Sequence, residues 1–232
     1  MALVNETRLP FDYQVRFSRR STVALHIRDG EVQVRAPFRT CPDYLHQFVL
    51  SKSGWIQEKL ELAEQKAAER VQLRDGELVP FRGELYRICV EPSPRFSTRI
   101  IGQHLYITST SAEAEVVKTI FAAWLKEQAK LHMLPCTEAL AERADLQHKL
   151  RQVRFRKTRS KWGHCSSQGV IQFNWLIMMA PDPVIQYLIA HEVSHLRYLD
   201  HSPRFWQQVE QLCPDYKECR KWLRDNEHRF WL

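Results

Sequence analysis

The sequence predicts an α+β protein: a β-rich N-terminal region with one inserted helix, then a compact helical domain with a short β-hairpin. Three observations carry this. Residues 13–37 alternate apolar and polar side chains with period two, and residues 77–108 return to short strand-like runs punctuated by Gly83 and Gly102. Residues 112–147 follow a helical period instead. A proline-led apolar helix, DPVIQYLIAHEVSHL, then opens a helix-rich C-terminus. The composition shift near residue 110 divides the chain into regions 1–110 and 111–232.

Taken in order, YQVRFSRRSTVALHIRDGEVQVRAP places Asp29-Gly30 between two alternating runs, a hairpin signal. Residues 43–72 read as a helix with Trp55, Ile56, Leu60, Leu62 and Ala63 as its apolar stripe. ELVPF, ELYRICVE, RIIG and HLYITS return to strands, punctuated by Gly83 and Gly102. The long helix that begins near residue 112 meets Pro135, where a break is expected. VRFRK and GVIQFN form two short strands joined by TRSKWGHCSSQ. Asp182 suits a helix N-cap with Pro183 in the first helical position. Ser202-Pro203 opens a further helix by the same logic, and a last one covers about 216–228.

The chain has 232 residues, 44% of them hydrophobic, enough for a substantial core. A formal charge of +7 favours anionic partners, nucleic acid and nucleotides among them, without requiring them. No apolar run approaches a membrane span, so no membrane partner is expected. The opening MALVNETRLPFDYQVRFSRRS lacks the apolar centre of a secretory signal, and the six cysteines form no CxxC pair. Together these predict a cytoplasmic protein with free thiols.

The segment HEVSHLRYLDH, residues 191–201, carries the chemistry. Histidines four apart share one face of a helix, so His191 and His195 can direct two imidazoles at one ion. Glu192 lies beside them, where its carboxylate can take a proton from a metal-activated water. The apolar VIQYLIA before it puts this helix in a core, where paired polar groups need a partner or a metal. His201 is the candidate third ligand. At 3.6 residues per turn a continuous helix would carry it away from the other two. The helix must therefore end near 197–199 and turn back, and Ser202-Pro203 supplies the break. The spacing matches HExxHxxGxxH, but Tyr198 replaces its glycine and no methionine follows residue 179 to make a Met-turn. Asp200 is placed to orient a ligand imidazole, and Arg204 to meet a developing oxyanion.

WGHCSSQGVIQFNWLIMMAPDPVIQYLIAHEVSHLRYLDHSPRFW, with the later CPDYKECRKWL, resembles the YgjP-like metal-dependent hydrolases, also called YgjP-like metallopeptidases, which are related to the SprT-like proteases. WIQEKL (55–60) and AWLKEQA (123–129) fit the same pattern. The resemblance implies a zincin-like catalytic domain, one Zn²⁺ per chain held by His191, His195 and His201, and Glu192 as general base. It leaves two activities open. One is a metallopeptidase; the other is a nucleotide pyrophosphatase acting on UTP. The family usually has Ser where this chain has His164.

RQVRFRKTRSK (151–161) reads either as a half-buried strand with a solvated basic face or as an anion-binding edge. In the second reading Arg154, Arg156 and Arg159 are substrate contacts for a nucleotide or for nucleic acid, the latter with a merely structural zinc. A peptide substrate would instead add as a strand to GVIQFN. Trp162 and Trp175 are expected in the core, and Phe205 and Trp206 are expected to pack the restarted helix against the metal helix.

Overall fold

A computed structural model describes residues 9–28, 30–158 and 160–232. Asp29 of the expected hairpin turn and Arg159 of the basic stretch lie outside the described residues. The architecture is α+β, and the chain divides between Arg70 and Val71 into two compact units. The strands at 78–109 thus group with the helical half rather than with the first strands. The composition shift near 110 marks instead the start of a long helix on which those strands pack.

In the first unit, β1 (Tyr13–Ser18), β2 (Ala24–Arg28) and β3 (Glu31–Pro37) form a sheet in the order β1-β3-β2. The β2–β3 pair is antiparallel, and Gly30 takes φ +80° in the connection. Period-two burial on β3 turns Val32, Val34 and Ala36 inward against Leu45, Val49 and Ile56. The segment expected as one helix is two, α1 (Pro42–Ser51) and α2 (Ser53–Ala68), because Lys52 leaves helical dihedrals at φ −111°. The expected stripe is also corrected. Ile56 is buried and Leu60 packs on the core, but Trp55 and Leu62 face solvent.

In the second unit, β4 (Leu78–Phe81), β5 (Glu84–Pro92), β6 (Ser97–Ile101) and β7 (His104–Ser109) form a sheet ordered β4-β5-β7-β6. It packs on α3 (Ala114–Arg143), which runs through Pro135 without a break. The buried residues of α3 are Val117, Phe121, Leu125, Ala129, Met133, Thr137 and Ala141, spaced by four, with Leu140 beside them. Each step of four advances the stripe by about 40°, so it winds some 240° around the helix. That winding lets one helix contact β6 and β7 near its start and further elements beyond them. It also explains why the segment shows no single apolar face in sequence. Thr137 hides its hydroxyl by donating to Met133 O at 2.6 Å.

The remaining strands are β8 (Gln152–Phe155), β9 (Gly163–Cys165) and β10 (Val170–Phe173). Their order is β8-β10-β9, with β8 parallel and β9 antiparallel to β10. The stretch expected to join two strands therefore contributes a third. Three helices complete the unit: α4 (Asp182–Ser194), α5 (Pro203–Leu212) and α6 (Tyr216–Asn226). Pro181, not Asp182, is the N-cap of α4. Asp182 sits in the first turn, where Arg82 Nε and Nη2 each donate to its carboxylate at 2.7 Å. Arg82 itself takes φ +53° and donates its N–H to Met178 O, so the β4–β5 turn anchors the start of α4. Ser202 is the N-cap of α5 as expected, with Pro203 following.

Leu125 is fully buried on α3. Leu125→Ala is expected to destabilise the second unit by about 2–5 kcal/mol, read as a lower denaturant midpoint at unchanged slope.

Candidate metal centre

α4 is almost wholly buried from Val184 to Ser194 because it lies between α3, α5 and α6, with β9 against it. The helix ends at Ser194, three residues earlier than the sequence suggests. Leu196 and Arg197 donate instead to Val193 O and Ser194 O, and Tyr198 donates to Ser194 O. This tightened turn reverses the chain and carries residues 199–201 back toward the helix. His201 then stands beside its partners: one ring nitrogen from each of His191, His195 and His201 lies within 4.8 Å of the other two.

Each ring is held by a different device. His195 Nδ1 lies 2.8 Å from the Tyr198 carbonyl, which assigns its proton to Nδ1 and leaves Nε2 as the free lone pair. His201 stacks on Trp206 at 5.7 Å and His195 on Phe205 at 4.4 Å between ring centroids. His191 meets Phe205 edge-on at 5.0 Å. Phe205 and Trp206 therefore pack α5 against the metal helix as expected. Arg220 on α6 closes this wall, its guanidinium 4.7 Å from the Trp206 ring centroid.

The electrostatics follow from burial. His191 is held down to about 3, first by desolvation and then by the neighbouring His195 and His201. His195 is also lowered by burial, against the opposing pull of the Tyr198 carbonyl. Imidazoles that resist protonation keep a lone pair for a ligand. Glu192 is 3% exposed, and burial pushes its carboxyl from the ordinary 4.5 up to about 8, with Lys161 pulling the other way.

The residue that makes room for Glu192 is Gly163. A Cβ at that position would overlap the Glu192 carboxylate at Oε1. Glycine is thus required on β9 for the approach of a side chain, not for its own dihedrals. The tryptophan before it is buried, and its Nε1 donates to Glu227 at 2.7 Å. Trp175 is buried too, so both tryptophans serve the core.

A divalent ion fits this arrangement. Glu192 Oε2 is buried with no hydrogen-bond partner. The Nε2 atoms of His191 and His201 lie 3.2 Å apart. Two nitrogens on one tetrahedral zinc, each at 2.0–2.1 Å, would be separated by about 3.3 Å. Three imidazoles with no fourth protein ligand among the described residues make an open donor set rather than a closed, structural one.

The other expected site residues are placed elsewhere. Asp200 Oδ1 accepts the Ser202 N–H at 3.2 Å and braces the turn into α5, so the acceptor that orients His195 is a backbone carbonyl. Arg204 is exposed in the first turn of α5, and the cation against the ring cluster is Arg220. Arg154 Nε donates to Gln152, and Arg156 is exposed just past β8, which packs on α3. β10 lies between that strand and β9, the one that packs on α4. β10 is hydrogen-bonded on both sides, so the free edge near the site belongs to β9 and not to GVIQFN. Gly163, the Tyr198 carbonyl and Arg220 were not singled out from sequence. The only signal was that Gly163 and Arg220 sit inside the motif segments WGHC and CPDYKECRKWL.

The fold and site together define a class: an α+β protein with a three-histidine donor set and a buried carboxylate, the equipment of a metal-dependent hydrolase. The chain belongs to the YgjP-like family. The family model described as "YgjP-like, metallopeptidase domain" matches residues 21–226. Among solved structures, the chain is similar to the metallopeptidase zymogen of Pyrococcus abyssi abylysin, with 22% sequence identity and a TM-score of 0.37. That likeness covers 41% of this chain and 95% of the other. No curated protein matches the chain.

Two outcomes follow. Glu192 binds its proton more tightly folded than unfolded, so it contributes stability at low pH that is lost as pH rises from 4.5 through about 8. In chelator-treated protein, the stability advantage of wild type over Glu192→Gln should therefore shrink across that window, as read by denaturant titration at each pH. An unchanging difference would contradict the burial-shifted carboxyl. Gly163→Ala should displace the Glu192 carboxylate and abolish this pH-dependent difference while the fold persists by circular dichroism.

Proposed function

We propose that the chain is a zinc-dependent hydrolase of metallopeptidase type, working in the cytoplasm with one zinc per chain. The observation that carries this is the Glu192 carboxylate, buried and unpartnered at Oε2, next to three converging imidazoles. No helix among the described residues is long and apolar enough to cross a membrane. Membership in a family described by a metallopeptidase domain supports the choice of the peptide bond.

In this reading His191, His195 and His201 hold the ion. A zinc bound there would bring the pKa of a water down towards neutrality and polarise the substrate carbonyl. Glu192 accepts the proton of the attacking water at Oε2 and delivers it to the departing amine nitrogen, so it ends the cycle as it began. Burial raises its affinity for a proton, and a cation held beside it would draw that affinity back down, so the carboxylate can act as the base. His195 stays neutral and fixed throughout, with its Nδ1 proton on the Tyr198 carbonyl. Phe205 and Trp206 keep water from the back of the imidazoles. A structural zinc in a nucleic-acid-binding module would need no buried carboxylate beside an open position.

Elemental analysis of purified protein should find about one zinc per chain, lost in His191→Ala. Zinc retained by that variant would remove His191 from the ligand set. Glu192→Gln should keep the metal and lose hydrolysis of unfolded casein by about a hundredfold or more. The same pair of proteins assayed on UTP separates peptide-bond from phosphoanhydride cleavage. Turnover of UTP and not of casein would overturn the peptidase reading.

A further inference from the structure

A cavity of about 760 Å³ has His195, one of the three clustered histidines, in its wall. Three segments build it: the 3₁₀ turn at Gln147–Lys149 with the residues after it, the β9–β10 turn, and the reversal after α4. Lys149, Arg151 and Arg197 line it, with His148 beside them, and among the described residues no acidic one does. Ser166 and Ser167 add hydroxyls to the lining.

The cavity is built rather than incidental. Gly169 takes φ +78°, and a Cβ there would overlap the Lys149 carbonyl. The β9–β10 turn can therefore lie directly on the segment that presents Lys149 and Arg151. A backbone hydrogen bond from Arg151 N to Gly169 O, 2.9 Å, ties the two together. On the other wall, Arg197 Nη2 donates to Ala144 O at 3.0 Å, which holds that side chain across the surface.

Several surface cations elsewhere on the chain are neutralised in ion pairs. Arg99 pairs with Glu91, Lys118 with Glu115, Lys130 with Glu127 and Lys217 with Glu210. Like charges gathered in a cleft without carboxylates repel each other and focus a positive potential into it. Such an arrangement is favourable once an anion enters, and the arginine fork matches the paired oxygens of carboxylate or phosphate. We propose that this cavity is the subsite for an anionic group of the substrate, held next to the bond that is hydrolysed at the three-histidine centre. The proposal rests on the hydrolase reading above and adds the class of substrate: one that carries a carboxylate or a phosphate beside the scissile bond.

Binding is tested in the zinc-loaded Glu192→Gln protein, so that no turnover intervenes. Calorimetric titration would use a hexapeptide alternating alanine and glutamate, its glutamine counterpart, and inorganic triphosphate. The glutamate peptide is expected to bind at least about tenfold more tightly than the glutamine peptide, with affinity falling as salt rises. Adding Lys149→Gln and Arg151→Gln should remove that preference, while Lys149→Arg with Arg151→Lys should keep most of it. If the triphosphate binds and depends on the same two residues but the peptide does not, the subsite stands with phosphate as its ligand. Equal affinity in both backgrounds, or no binding of either anion, overturns the proposal. The hydrolase reading fails separately: anion binding as expected, with no hydrolysis of casein or UTP by wild type, would sink that reading alone.

Discussion

Removing the Glu192 carboxylate and two imidazoles from water, without giving each polar atom a partner in the protein, is the constraint on which the rest of the second unit depends. An unpaired buried polar group costs on the order of 1–3 kcal/mol, and a charged one more. Helix α4 carries that cost in its last two turns. The apolar length before it, Val184 to Ala190, is buried almost completely, and its burial holds the helix in place against the unfavourable end. The orphaned Glu192 Oε2 marks where the protein trades stability for chemistry.

Several otherwise unrelated features serve that end. Arg82 on the β4–β5 turn fixes the first turn of α4 through Asp182. Gly163 on the edge strand β9 admits the carboxylate. The Tyr198 carbonyl sets the tautomer of His195 while the same turn returns His201 to the cluster. Phe205, Trp206 and Arg220 stack in series behind the rings, so that α5 and α6 limit how far any imidazole can rotate. The winding stripe of α3 lets one helix hold the four-stranded sheet and also support β8 and α4.

The local signals that could be read from the chain were of two kinds. Periodicity located the strands of the first unit and the long helix, because burial on one face imposes period two or a helical period on the residues themselves. Proline and serine located the start of α5, because the missing N–H and fixed φ act on the nearest few residues. Where several faces are buried at once the signal fails. α3 shows no single stripe, and β9 was read as a connecting loop because its three residues include a glycine whose partner lies 29 positions away. Asp182 was read as an N-cap for a similar reason: its real partner, Arg82, is a hundred residues distant.

The sequence by itself determined one local grouping of side chains. His191, Glu192 and His195 are brought together by one turn of helix, a relation that depends on nothing beyond local geometry. It also demanded a break before His201. Tertiary structure decided everything that depends on distant neighbours. It set which carbonyl orients His195, which cation stands behind the rings and which strand presents a free edge. It also gathered Lys149, Arg151 and Arg197 into one cavity with His195 in its wall. The physical reason is the range of the forces involved. Helical spacing and turn chemistry act over a few residues and are written in order along the chain. Desolvation, stacking and like-charge convergence depend on which surfaces meet, and the packing of strands and helices onto one core settles that.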